Sequence, residues 1–233
     1  DISFSSRYLE GALLVYLRRN GLVAPNKEQG GKQRFEQMNR DGSKGFSGAY
    51  VKSPVPGKYK WIFDLDLTSL YPSIIISLNI SPETKVGVVD NWNPEKFYEG
   101  KLPIVNFNRT AYPKDRFIKF LEDNNYAISS NGVIYQKGKL GLVPSILDQW
   151  FNQRVKFKDL MQKYGNEGDD DKYIFYKRRQ HVQKILLNSL YGVLGLPIFR
   201  FYDVHNAEAV TTTGVSIIKF TSKMGNQYYN KIL

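Results

Sequence analysis

Asp64 and Asp66 stand two residues apart at the end of the otherwise apolar run Trp61-Ile62-Phe63-Asp64-Leu65-Asp66. In a β-strand that spacing turns both carboxylates to one face. A hard cation such as Mg²⁺ takes one or two carboxylates and leaves its other positions to water and substrate phosphates, so the pair is a candidate metal-binding element. A strand-end Asp serves equally as the N-cap of a following helix, and the pattern alone leaves both roles open. Cations make the second candidate. Arg154 and Lys158 are four residues apart, and Lys184, Asn188 and Tyr191 follow at spacings of four and three, so each set shares one face of a helix. Two such helices facing each other form a polyphosphate pocket, with Arg as a bidentate fork and Lys as a point charge. Lys156, Lys163, Lys177, Arg178 and Arg179 make the same segments basic all round, which is the competing reading of a solvated face. The cluster Asp169-Asp170-Asp171 lies beside Gly165 and Gly168 and reads as a solvated turn; a calcium loop would need a closing Glu, absent here.

Composition narrows the chemistry. The 233 residues carry 33 Lys+Arg against 22 Asp+Glu, a net charge of +11, with 42% hydrophobic residues and no cysteine. That is a globular composition, without a disulfide framework, thiolate zinc site or Cys nucleophile. With His181 and His205 the only imidazoles, a metal must be held mainly by oxygen. The charge excess suits a polyanionic partner, most simply nucleic acid or nucleotide phosphate. No apolar run approaches the roughly 20 residues that span a bilayer, so no membrane partner is expected. The sequence opens at Asp1 and still reads as helix at Leu233, the pattern of a piece of something longer.

Several elements must position these side chains. Leu9, Leu13, Leu14 and Leu17 predict a helix over Ser5–Asn20 that stops at Gly21. The stretch 26–45 is polar and Gly-containing and reads as a loop. Strands are expected at Ala49–Lys52 and Lys58–Leu65, then a helix from Thr68 or Ser69 to Ser77 capped by Asp66 or Thr68. The stretch 82–141 mixes turns with short β-like runs at Lys85–Val89 and Gly132–Gln136, and its aromatic, basic middle around Tyr112–Phe120 suggests no chemistry. Two long helices, Pro144–Tyr164 and Lys172–Leu194, make an antiparallel hairpin. A β-like run Ile198–Tyr202 and a last helix from Asn206 or Ala207, with Gly214 inside it, complete the chain.

The segment Asp66-Leu67-Thr68-Ser69-Leu70-Tyr71-Pro72-Ser73-Ile74-Ile75 closely resembles motif A of the family B DNA polymerases. Lys184-Ile185-Leu186-Leu187-Asn188-Ser189-Leu190-Tyr191-Gly192 resembles that family's motif B. Phe46-Ser47-Gly48-Ala49-Tyr50 is similar to its Tyr-x-Gly-Gly/Ala loop, and Phe151-Asn152-Gln153-Arg154 to its first fingers helix. With Asn79-Ile80-Ser81-Pro82-Glu83-Thr84, the details are most similar to the replicative members from T-even-type bacteriophages. These long motifs in one order, spread discontinuously over about Phe46–Gly214, make a specific signal.

The resemblance implies an α+β fold, a partial polymerase palm of mixed strands and helices with an inserted antiparallel two-helix fingers hairpin. Residues 1–45 would lead into the palm, 46–143 form its motif A part, 144–195 the fingers, and 196–233 the return to the palm. It implies two Mg²⁺ ions on Asp66, aided by the Leu67 carbonyl, of which this chain holds half the ligands. Ser69 and Leu70 would offer backbone N–H groups to a deoxynucleoside triphosphate, and Tyr71 would reject a ribose 2′-hydroxyl. Arg154, Lys158 and Lys184 would hold the β and γ phosphates, with Asn188, Tyr191 and Gly192 at the nascent base pair and template. It leaves Asp64 without a role beyond supporting its strand. The implied partners are a DNA primer-template and, for the full-length protein, a sliding clamp, in the cytoplasm of an infected host cell. The family's Asp-Thr-Asp turn does not occur in the sequence, so this stretch by itself is expected to lack useful polymerase activity. The alternative is a non-catalytic nucleic-acid-binding module that uses the basic helical hairpin.

Overall fold

The computed structural model describes residues 2–27, 30, 48–58, 60 and 66–229. Helix α1 (Ile2–Arg19) buries Leu9, Leu13 and Leu17, the i, i+4, i+8 stripe of its core face. It stops where expected: Gly21 has φ 66° and the Leu22 N–H reaches back to the Leu17 carbonyl at 2.9 Å. Residues 48–56 have no regular structure, so the strand expected at Ala49–Lys52 is not formed. The expected strand Lys58–Leu65, with Asp64, lies almost wholly outside the described residues, as do Phe46 and Ser47.

Helix α2 (Leu70–Leu78) turns Pro72, Ile74 and Ile75 into the core. Its N-cap is Ser69, held in the left-handed region at φ 54°, ψ 45° with no side-chain cap bond, rather than Asp66 or Thr68. At its far end Asn79 acts as a buried clip. Its side chain donates to the carbonyls of Gln136 at 2.6 Å and Lys139 at 2.8 Å, and accepts from the Gly141 N–H at 2.8 Å. The next residues cap a later helix. Glu83 accepts from the Leu142 N–H, and Ser81 Oγ accepts from the Val143 N–H at 3.3 Å. These satisfy two otherwise orphaned first-turn donors of helix α5, whose range is given below. A Cβ on Gly141 would meet Ser81 Cβ at 2.6 Å, so only glycine lets the two segments close. The Asn79–Thr84 segment thus locks the end of α2 to the start of that helix.

Between them lies a small subdomain. Strands β1 (Lys85–Val88), β4 (Tyr126–Ile128) and β5 (Val133–Gln136) form an antiparallel sheet in the order β1-β5-β4. A hairpin, β2 (Ile104–Phe107) and β3 (Thr110–Pro113), turns at Asn108-Arg109, both with positive φ. The helices here are α3 (Pro94–Tyr98) and α4 (Lys114–Asp123). The central strand β5 is buried over Val133–Tyr135 and exposed only at Gln136, and its alternation divides two cores: Val133 and Tyr135 enter the main one, Ile134 the other. The aromatic stretch around Tyr112–Phe120 proves to be this second core, with Phe117 against Trp92, Phe97 and Tyr112.

Helices α5 (Leu142–Asn166) and α6 (Asp170–Leu194) form the expected antiparallel hairpin. Tyr164 stacks on Tyr176 with ring centroids 5.5 Å apart, and Phe157 meets the same ring at 6.2 Å. Asp169 caps α6 and Asp170 and Asp171 occupy its first turn, where carboxylates favour the helix dipole; they are not a loop tip. Lys172, through its side chain first, holds the Asp169 carboxyl below the usual range. Residues Ile198–Tyr202 are turns instead of a strand: Phe199 and Phe201 are buried, but local bonds such as Tyr202 N–H to the Phe199 carbonyl (3.1 Å) take up the backbone. Helix α7 (Val204–Tyr229) starts at Asp203, which accepts from the His205 N–H at 2.9 Å and pairs with Lys85.

One buried bond ties the sheet to α7: Tyr135 Oη donates to Asn206 Oδ1 at 2.8 Å, while Asn206 Nδ2 has no partner. Burial, and secondarily the Asp203 carboxylate, pushes the Tyr135 phenol far above its ordinary value. A raised phenol pKa contributes stability that is complete below the unfolded value near pH 10 and is lost as pH rises above it. Tyr135→Phe is therefore expected to cost roughly 1–3 kcal/mol near neutral pH. It should also shrink the alkaline loss, which urea melts at about pH 8 and about pH 10.5 will show.

Candidate active site

The entry to α2 and the paired helices α5 and α6 enclose a cleft of about 430 Å³. Asp66 to Tyr71 form its floor; Arg154 and Lys158 from α5, and Lys184 and Asn188 from α6, form the facing wall. The Asn79–Thr84 lock sets the start of α5, and the helical spacing then carries Arg154 and Lys158 over α2. The structure thus brings together nine residues selected from sequence, Asp66, Leu67, Ser69, Leu70, Tyr71, Arg154, Lys158, Lys184 and Asn188, from three separated segments.

Three cations face one carboxylate across this cleft, and none of the three has an ion-pair partner among the described residues. Arg154 Nη1 reaches the Ser69 hydroxyl at 3.3 Å, while its Nε is buried with no acceptor. A buried guanidinium donor without a partner is costly in a fold and well suited to an anion. Ser69 itself holds a left-handed backbone that a non-glycine residue adopts only at some cost, at the turn where the chain enters α2 beside the cleft.

Tyr191 stands at the edge, its ring 4.5 Å from Tyr71 at an interplanar angle of 44°. Burial, and then the neighbouring Tyr71, pushes its phenol up to about 12, so it remains a hydrogen-bond donor at any physiological pH. Gly192 is exposed and a Cβ there would meet nothing within 4 Å. The fold itself does not require glycine at that place. Gly48, Ala49 and Tyr50 do not line the cleft, and Lys219 Nζ lies 5.5 Å from the centre of the Tyr50 ring.

Asp66 is exposed in the cleft and, with Leu67 and Leu70, also borders a second hollow lined by α7 residues Ile218, Thr221 and Ser222. Among the described residues no three His, Cys, Asp or Glu side chains converge. One carboxylate and a main-chain carbonyl match a Mg²⁺ ion that takes its other ligands from water and phosphate, and fall short of a complete protein cage.

Sequence reasoning missed three parts of the site. Gln183 Nε2 donates to Gln153 Oε1 at 2.9 Å, bridging the helices beside Lys184 and Arg154, and the Gln183 Oε1 is buried without a partner. Neither amide carries a local signal, since the bond joins positions thirty residues apart. The left-handed Ser69 had none either. Gly214, noted from sequence only as lying inside the last helix, packs against Tyr71.

The described residues form a mixed fold of helices and small antiparallel sheets with a cleft in which Arg154, Lys158 and Lys184 face Asp66. The solved structure of the family B DNA polymerase from the archaeon Pyrobaculum calidifontis shares this fold, with a TM-score of 0.63 and 24% identity, over 96% of this chain and 24% of that one. The model of the family described as DNA polymerase family B matches residues 4–232. The chain belongs to DNA polymerase family B. It is 29% identical to the DNA-directed DNA polymerase of Escherichia phage RB69, over 80% of this chain and 24% of that protein. It is likewise 29% identical to that of Enterobacteria phage T4, over 89% and 26%, and 31% identical to the DNA polymerase of Pyrococcus glycovorans, over 96% and 24%. The chain spans about a quarter of the length of these relatives. No helix among the described residues is long and apolar enough to cross a membrane.

Proposed function

We propose that this chain is the nucleotide-holding part of a template-directed DNA polymerase: residues 46–143 and 196–233 belong to the palm, 1–45 lead into it, and the α5–α6 hairpin within 144–195 is the fingers. The observation that carries this reading is the single cleft in which Asp66–Tyr71 face Arg154, Lys158 and Lys184. A deoxynucleoside triphosphate fits its charge, since three cations against one carboxylate complement a polyanion. Arg154, released from Ser69, and the two lysines hold the β and γ phosphates, while the Ser69 and Leu70 amides at the start of α2 add donors. Tyr71, packed at a tilt against Tyr191, lies under the sugar and leaves no room for a 2′-hydroxyl. Asn188, Tyr191 and Gly192 face the nascent base pair, where a bare glycine backbone admits close approach.

Asp66, with the Leu67 carbonyl, would hold Mg²⁺, which when bound supplies Lewis-acid activation of the primer 3′-hydroxyl and stabilises the departing pyrophosphate. A two-metal site needs a second carboxylate beside Asp66 and the described residues bring none to it, which supports the reading that these 233 residues alone extend no primer. The partners of the complete protein are primer-template DNA, deoxynucleotides and a sliding clamp, in the cytoplasm of an infected host cell.

The test is calorimetric titration of the chain with dATP and dAMP, with and without Mg²⁺. The triphosphate should bind at least about tenfold tighter than the monophosphate and gain from Mg²⁺. Equal affinity for both nucleotides would refute the assignment, and duplex binding indifferent to triphosphate would favour the non-catalytic nucleic-acid-binding module.

A further inference from the structure

Helix α7 carries Gly214 in its buried stretch, although glycine is the poorest helix former after proline. Its environment supplies a reason. A Cβ at 214 would lie 3.0 Å from Tyr71 Cε1 and 3.6 Å from both Tyr71 Cδ1 and Ile74 Cδ1. The Tyr71 ring is therefore bounded by the bare backbone of α7 and by the Tyr191 ring at 4.5 Å, and it borders the cleft as part of the floor. Gly214 does not line the cleft. It backs the residue that does. A side chain there has to move the tyrosine by a few tenths of an ångström, and the cleft that Tyr71 lines is open space beside it.

We propose that Gly214 is a specificity-determining residue of this site: it is the backstop that sets how far Tyr71 projects into the cleft and so how much room the sugar has at its 2′ position. The inference rests on the reading of Tyr71 as the surface under the sugar. Ile74, one turn along α2, is the other side chain that a Cβ at 214 would touch, at ordinary van der Waals distance. Gly214 acts only through Tyr71, so its influence must vanish when that ring is removed.

The test compares dATP and ATP affinities, measured calorimetrically with Mg²⁺, for the chain and for Gly214→Ala, Tyr71→Ala and the double variant. Gly214→Ala should weaken dATP binding roughly three- to tenfold and ATP binding more, a size set by sub-ångström misplacement. The double variant has no ring to collide with, so it folds without that strain, and it should match Tyr71→Ala alone. Unchanged affinities in Gly214→Ala, or an equal effect of the alanine in the Tyr71→Ala background, would overturn the proposal. If Tyr71→Ala leaves the preference for the deoxy sugar intact, the reading of Tyr71 fails first and takes this inference with it; that result is distinct from the other two.

Discussion

Asp66→Asn, introduced into a polymerase chain that contains these residues, is expected to slow primer extension by about 10³-fold or more, equivalent to roughly 4 kcal/mol of transition-state stabilisation. The magnitude follows from the site's composition. Asp66 is the only carboxylate among the described residues that line the cleft, and no group of three acidic or imidazole side chains converges among the described residues to take its place. Asparagine keeps the shape and one oxygen but removes the charge on which a hard divalent cation depends. The loss should fall on kcat in single-turnover measurements, with little change in melting temperature, because the side chain is exposed and supports no helix cap. Extension within tenfold of the parent protein would show that Asp66 is not the metal-binding carboxylate.

The second large effect concerns the wall of the cleft. Arg154→Ala and Lys184→Ala should each raise the dATP dissociation constant roughly 10- to 100-fold, the worth of one or two charge-assisted hydrogen bonds. Affinity for dAMP should move far less, since the lost partners are the outer phosphates. Arg154→Lys is expected to recover little: the present bond to Ser69 at 3.3 Å already uses one arm of the guanidinium, and a point charge cannot reproduce the fork. Calorimetric titrations with both nucleotides check this, and a uniform loss for both would point to a collapsed cleft. The Gln153–Gln183 bond makes the two positions unequal neighbours of one structure, so the double variant need not be additive.

Local pattern was a good guide wherever periodicity and burial agree. The stripe Leu9, Leu13, Leu17, the two long helices and the run Val133–Gln136 are formed as their spacing predicts. The failures share a cause. Ile198–Tyr202 alternates like a strand, but it pairs with no strand among the described residues, and its backbone bonds locally while Phe199 and Phe201 are still buried. Asp66 and Thr68 are good cap residues by type, yet the left-handed turn at Ser69 swings the chain so that neither side chain caps α2. Burial of side chains and pairing of backbone are separate demands, and a short sequence window reports mainly the first.

The residue types of the candidate site were determined by the amino-acid sequence alone: a carboxylate at Asp66 in a chain without cysteine, and cations at helical spacing on two successive helices. Their membership in one cleft was decided by the tertiary structure. Asn79, Ser81 and Glu83 lock α2 to the start of α5 through bonds spanning about sixty residues, and that lock places Arg154 over Ser69. The same holds for Gly214, which is an anomaly in a helix until Tyr71, more than a hundred positions earlier, is found 3.0 Å from where its Cβ would be. Spacing along a chain constrains which side chains share a face; only packing between faces sets the distances at which charge and shape act.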